Sequence, residues 1–234
     1  MNKGVHVAAQ EDAEKAYTSG ERFFLVTAER DVLHFLSSKE DVSLAAIVPD
    51  ASRYVREMTQ YGLVGMAMRK VRSLGIVNLL RLLKPVLRSG LKIKKKDMRV
   101  LVPLLAFVEY LELRKCSLEI MFLHYHLTDM ALATGNRVLL ENYLKLSVKN
   151  VRLGLMTKNL GLLDKRLGEW GLNVNTVLAP FQLSGYGMRP TQKDCEVIIK
   201  KGKRDYYGFG KVVDVEREEK YAQQIGLKEW FVSK

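Results

Sequence analysis

Short apolar runs alternate with longer helical stretches along most of this chain. The runs fall at residues 4–9, 23–27, 42–49, 62–68, 119–124, 151–157, 176–181, 206–215 and 230–232. Runs of this length, rich in Val, Ile, Leu and Phe, are expected of strands buried on both faces. Between them, residues 11–19, 29–36, 51–61, 132–144 and 160–170 carry a helical pattern, with Gly135 a weak point and Gly171 a natural C-cap. Strand–helix alternation is the rhythm of a parallel sheet. Eight such strands in 234 residues predict an α/β fold, a compact (β/α)8 TIM-type barrel. A doubly wound open sheet is the alternative. One of the nine runs is then surplus, and 62–68 is the weakest. Without a repeat or a low-complexity linker, residues 1–234 read as a single domain.

The rhythm breaks over residues 69–113, which predict a basic αα insertion on the barrel. Leu79, Leu80, Leu82 and Leu83 belong to a broad apolar surface, while Arg81, Lys84 and Arg88 share one helix face. Pro85 interrupts or kinks that helix, and 98–113 read as a second one. The net charge of +12 is concentrated here: residues 69–99 hold eleven Lys/Arg against Asp97 alone, whereas residues 1–68 hold seven against ten acids. A local block of this kind suggests a surface that meets anions. A solvated cationic rim, a face for an anionic substrate, cofactor or nucleic acid, and an amphipathic helix on an anionic membrane surface all fit the composition. Residues 69–99 contain no Phe, Tyr or Trp, so base stacking is not expected there.

The two cysteines, Cys116 and Cys195, are isolated, which suits a reducing compartment. The N-terminal residues hold no apolar signal core, and no apolar stretch is long enough to span a bilayer. The expectation is a cytoplasmic protein.

Candidate chemistry gathers at strand ends, where barrels place ligands. The run ending Phe122-Leu123 turns polar at His124-Tyr125-His126, with Asp129 close behind. On a strand, His124 and His126 would face the same way. That HxH arrangement suggests a metal-dependent hydrolase, with Asp129, Asp50 or His6 as a third ligand. Lone strand-end histidines are also commonly structural. Thr157, Lys158 and Asn159 end a strand and open a helix, which makes either an anion site or ordinary N-capping. Gly185 and Gly187 would let the backbone approach a ligand closely, with Arg189 clamping an anion.

Leu123-His124, then residues 151–160 (Val-Arg-Leu-Gly-Leu-Met-Thr-Lys-Asn-Leu), then 174–181 (Val-Asn-Thr-Val-Leu-Ala-Pro-Phe) resemble the second half of an aldo-keto reductase barrel. That family has a strand ending in Leu-Leu-His, a Gly-Val-Ser-Asn helix start and a Val-Asn-Gln-Val strand. The resemblance covers about residues 117–190. It implies an NADPH-dependent oxidoreductase of small carbonyl or anionic substrates. It would make Tyr54 the general acid, Lys70 the group that lowers its pKa, Asp50 the positioner of Lys70, and His124 the residue that orients substrate. Thr157, Lys158, Asn159, Gly185 and Arg189 would meet the cofactor. The Tyr54-to-Lys70 gap is far shorter than the family's, and no Lys-Ser-x-x-Arg-type segment follows the last strands, so the implied nicotinamide site is incomplete.

Overall fold

The computed structural model describes residues 2–50, 53, 54, 56, 57, 59–61, 97–211 and 214–233. The expected strands at 62–68, the basic stretch 69–96 and Lys70 lie outside the described residues. In chain order the elements are β1 (Asn2–Val7), α1 (Gln10–Thr18), β2 (Phe23–Val26), α2 (Arg30–Ser37), β3 (Ser43–Val48), α3 (Met98–Leu113), β4 (Leu118–Leu123), α4 (Tyr125–Ala133) and α5 (Arg137–Leu144). Then come β5 (Arg152–Met156), α6 (Leu160–Trp170), β6 (Thr176–Pro180), α7 (Gln192–Lys200), β7 (Asp205–Lys211), α8 (Val215–Ile225) and β8 (Glu229–Ser233). The eight strands are all parallel and close into a barrel in sequence order, β8 pairing with β1. The open-sheet alternative is thereby excluded.

Sequence explains most of these elements locally. In β4 five of six residues are buried, because one face meets the barrel interior and the other the helices. In α6, Asn159 caps the first turn by accepting from the Leu162 N–H, Leu160, Leu163 and Leu167 form the buried stripe, and Gly171 ends it in the left-handed conformation. The stretch expected as one helix over 132–144 is two. Thr134-Gly135-Asn136 separates α4 from α5, with Gly135 at φ +68° and Asn136 capping α5.

Two apolar layers hold the fold together. One lies between strands and helices. The other fills the barrel with Leu25, Ile120, Phe122, Leu178, Tyr207 and Phe231. Burying one such side chain stabilises the fold by about 1.5–3 kcal/mol. Gly154 makes room for this filling: a Cβ there would lie 2.8 Å from both the Phe122 ring and the Thr176 carbonyl oxygen.

The alternation of inward residues continues past the packed layer. On β7, Tyr207 and Phe209 lead to Lys211; on β8, Phe231 leads to Ser233; on β1, Gly4 leads to His6. The same period takes Phe122 to His124 and Met156 to Lys158. These upper residues converge on one cavity at the carboxyl ends of the strands.

Candidate functional site at the barrel mouth

The cavity has a volume of about 800 Å3. Ile47, Met156 and Phe209 belong to its wall, the apolar top of the barrel filling. Its polar groups come from seven of the eight strands and the loops behind them.

His124 ends β4 and caps α4. Its own N–H donates to the Val48 carbonyl (2.8 Å), and its Nδ1 accepts from the His126 backbone N–H (3.2 Å). With Nδ1 accepting, the ring proton of the neutral imidazole belongs on Nε2. Burial pushes the His124 pKa down to about 4; the neighbouring His126 and Lys158 add to the shift, and the Asp50 carboxylate opposes it. At neutral pH His124 is therefore an uncharged Nε2–H donor. His6 hydrogen-bonds Ser233 across the closing β1–β8 pair (3.4 Å), and burial lowers its pKa as well.

Asp129, on α4, organises the loop after β5. Its Oδ1 accepts from the Thr157 hydroxyl (2.5 Å) and its Oδ2 from the Lys158 backbone N–H (3.0 Å). Thr157 Oγ1 in turn accepts from the Asn159 N–H (2.9 Å). Lys158 Nζ lies 4.0 Å from the centroid of the Tyr125 ring, a cation–π distance. Lys158, Arg189 and Lys211 line the cavity, and none has a carboxylate partner among the described residues. Three cations against the single Asp129 carboxylate give the cavity wall a net positive charge.

Not every expected residue is placed as expected. His126 belongs to α4 rather than to a strand, because the chain turns into a helix immediately after His124. The two imidazoles stack with centroids 5.0 Å apart instead of aiming side by side at an ion. Among the described residues no three His, Cys, Asp or Glu groups are placed to hold a metal. Asp50 and Tyr54 do not line the cavity. The Asp50 N–H donates to both carboxylate oxygens of Glu109 (3.2 Å each), and its Oδ1 accepts from the Arg53 N–H (3.0 Å). Arg53 pairs with Glu109 at 3.1 Å. Tyr54 is buried beside this pair, and burial together with the Glu109 charge drives its pKa far above the ordinary phenol value, the opposite of what a general acid needs. Thr157 and Asn159 act as the loop bond and helix cap described above, which matches the capping reading. Gly187 and Arg189 line the cavity; Gly185, at φ +72°, shapes the turn before them.

No protein-family model matches the chain, and no curated protein matches it. The site's reading therefore rests on its geometry. Of the residues expected to meet a nicotinamide cofactor, the Thr157 hydroxyl donates to Asp129 and Asn159 Oδ1 accepts from the Leu162 N–H, while Lys158 and Arg189 line the cavity.

Three participants escaped the sequence reading. Glu109 is fully buried, and an acid set between Val108 and Tyr110 in a mostly apolar helix was the available signal. Lys211 and Ser233 follow the inward period of β7 and β8, but only closure brings them to His6. Helix α7 was also missed, although Thr191-Gln192-Lys193-Asp194 has the form of a capping box: Thr191 Oγ1 accepts from the Asp194 N–H. As to membranes, no helix among the described residues is long and apolar enough to cross one.

Proposed function

We propose that this chain is a barrel enzyme whose mouth takes a small carbonyl compound carrying a carboxylate or phosphate. In this reading the three cations hold the anionic group, and His124 donates its Nε2–H to the carbonyl oxygen. A neutral imidazole stabilises negative charge developing on that oxygen without giving up its proton in the ground state. The observation that carries the reading is the meeting, around one cavity, of a neutral His124, its Nδ1 fixed by the His126 N–H, with Lys158, Arg189 and Lys211, which have no carboxylate partner among the described residues. The resemblance to aldo-keto reductases supports the carbonyl and the role of His124. It supports Tyr54 less, since that phenol lies outside the cavity wall.

The test is a panel of small aldehydes, 2-oxo acids and phosphorylated carbonyls, assayed with NADPH by absorbance and without it by deuterium exchange beside the carbonyl. Turnover of an anionic member, lost in His124→Asn, supports the reading. Cofactor oxidation would assign the oxidoreductase form, and exchange alone a proton-transfer form. Inactivity toward every anionic carbonyl, or turnover indifferent to His124, would remove it. No observation among the described residues favours the metal-dependent hydrolase, and the basic stretch on which a nucleic-acid or membrane reading depends lies largely outside them.

A further inference from the structure

The cavity wall carries aromatic side chains as well as cations, and Lys158 already lies over the Tyr125 ring. Tyr186 lines the cavity and is nonetheless 78% exposed, the most open large hydrophobic side chain among the described residues. Its backbone is held. The Gly185 N–H donates to the Gln182 carbonyl (2.9 Å), the Met188 N–H to the Gly185 carbonyl (3.1 Å), and the Tyr186 N–H to Ser184 Oγ (3.3 Å). Gly185 and Gly187, at φ +72° and +77°, make the tight turn on either side of it, and the buried Met188 anchors the turn to the barrel. A defined turn thus presents an open ring at the rim of an anion-attracting cavity. Arg189 follows three residues after Tyr186, so ring and guanidinium belong to the same short loop. Deeper in, Tyr125 and Phe209 add two half-buried aromatic faces.

An exposed ring loses water contact favourably when a flat apolar surface covers it. Inorganic phosphate or a short aliphatic acid would answer the cations and leave the Tyr186 ring uncovered. A ring-bearing anion answers both, and a cavity of about 800 Å3 is large enough for one.

We infer that the ligand of this mouth is an anion attached to a flat aromatic ring, an aryl or heteroaryl carboxylate or phosphate, with the Tyr186 loop supplying both the stacking face and, through Arg189, part of the charge. This rests on the anionic-substrate reading above and narrows it.

Titration calorimetry of the full chain at low salt tests it with four probes: phenyl phosphate, inorganic phosphate, benzoate and benzyl alcohol. Phenyl phosphate should bind about tenfold or more tighter than inorganic phosphate, the order of one base-sized stacking contact. Tyr186→Ala should abolish that advantage and leave phosphate binding as it was. Tyr186→Phe should retain it. Arg189→Ala should weaken both phosphates and benzoate by a common factor, and benzyl alcohol should bind most weakly throughout. Equal binding of the two phosphates, or an advantage that survives Tyr186→Ala, overturns the ring subsite while leaving the anion reading in place. If no anion binds, or if Arg189→Ala changes nothing, the anion reading itself falls.

Discussion

Arg152, at the foot of the barrel, and Arg189, at its mouth, carry the same charge in opposite circumstances. Arg152 begins β5 and is surrounded: the Glu119 and Asp205 carboxylates lie 3.7 Å away on either side, and its Nη1 donates to the Tyr207 hydroxyl (3.1 Å). Glu229 completes the ring of charge at that end, its pKa raised to about 7, first by burial and then by Glu119. Among the described residues Arg189, Lys158 and Lys211 have no carboxylate partner. The two ends are built on the same eight strands and are separated by the apolar side chains that fill the barrel. Charge that is matched within the chain contributes to folding. Charge left unmatched around a cavity is available to a ligand, and its mutual repulsion is relieved only when one binds.

The contrast can be broken at several points. The largest effect is expected at the mouth. His124→Asn keeps a capping side chain for α4, so stability should change little, while turnover on the substrate found by the panel should fall about 10²–10³-fold. A loss of fold in circular dichroism, with activity tracking the folded fraction, would make His124 structural. Next is the layer between the ends. Gly154→Ala places a methyl against Phe122 and the Thr176 carbonyl, and thermal unfolding should report about 1–3 kcal/mol of destabilisation. Thr157→Val strips Asp129 of its hydroxyl donor and should cost about 1–2 kcal/mol in the same measurement.

The smallest effects are in pH dependence, and there the two ends should have opposite signs. His124 is neutral in the folded chain down to about pH 4, whereas the unfolded chain takes up its proton near pH 6.5. Its contribution is therefore complete above pH 6.5 and is lost as pH falls toward 4. Glu229 runs the other way. The folded chain holds its proton up to about pH 7 and the unfolded chain releases it near pH 4.3, so stability declines as pH rises between those values. Glu229→Gln should remove that decline and stabilise the protein by about 1 kcal/mol above pH 7, partial exposure to solvent screening the rest. Chemical denaturation of the two variants from pH 4 to 8 reads both slopes.

How much of this could be read from the sequence differs between the scaffold and the site. The barrel was legible because strands buried on both faces, such as β4, must be continuously apolar, and helices such as α6 carry both their stripe and their caps in plain view. His124 was legible because an apolar run ended on it. Its neighbour misled: His126 obeys a strand's period in the sequence, but the chain leaves the strand at His124, and nothing local to residues 124–126 marks that change. His6 and Ser233 are 227 residues apart and meet only because β8 closes on β1. Strand-end position for Asp50, and chain order for Tyr54, assigned them to the mouth; the buried Arg53–Glu109 pair lies beside them, away from the cavity wall. The twin readings of Thr157 and Asn159 resolve toward capping once Asp129 is seen to grip their loop.

The account stands on an uncharged His124 facing an electropositive mouth. Nitrogen-15 NMR of the histidine side chains, titrated from pH 3.5 to 8 with and without phenyl phosphate, measures this directly. The expected result is a neutral ring at pH 7 protonated on Nε2, a midpoint near pH 4, and a shift of that resonance when the anion binds. A midpoint at or above pH 6.5, or a His124 resonance indifferent to the anion, would contradict it.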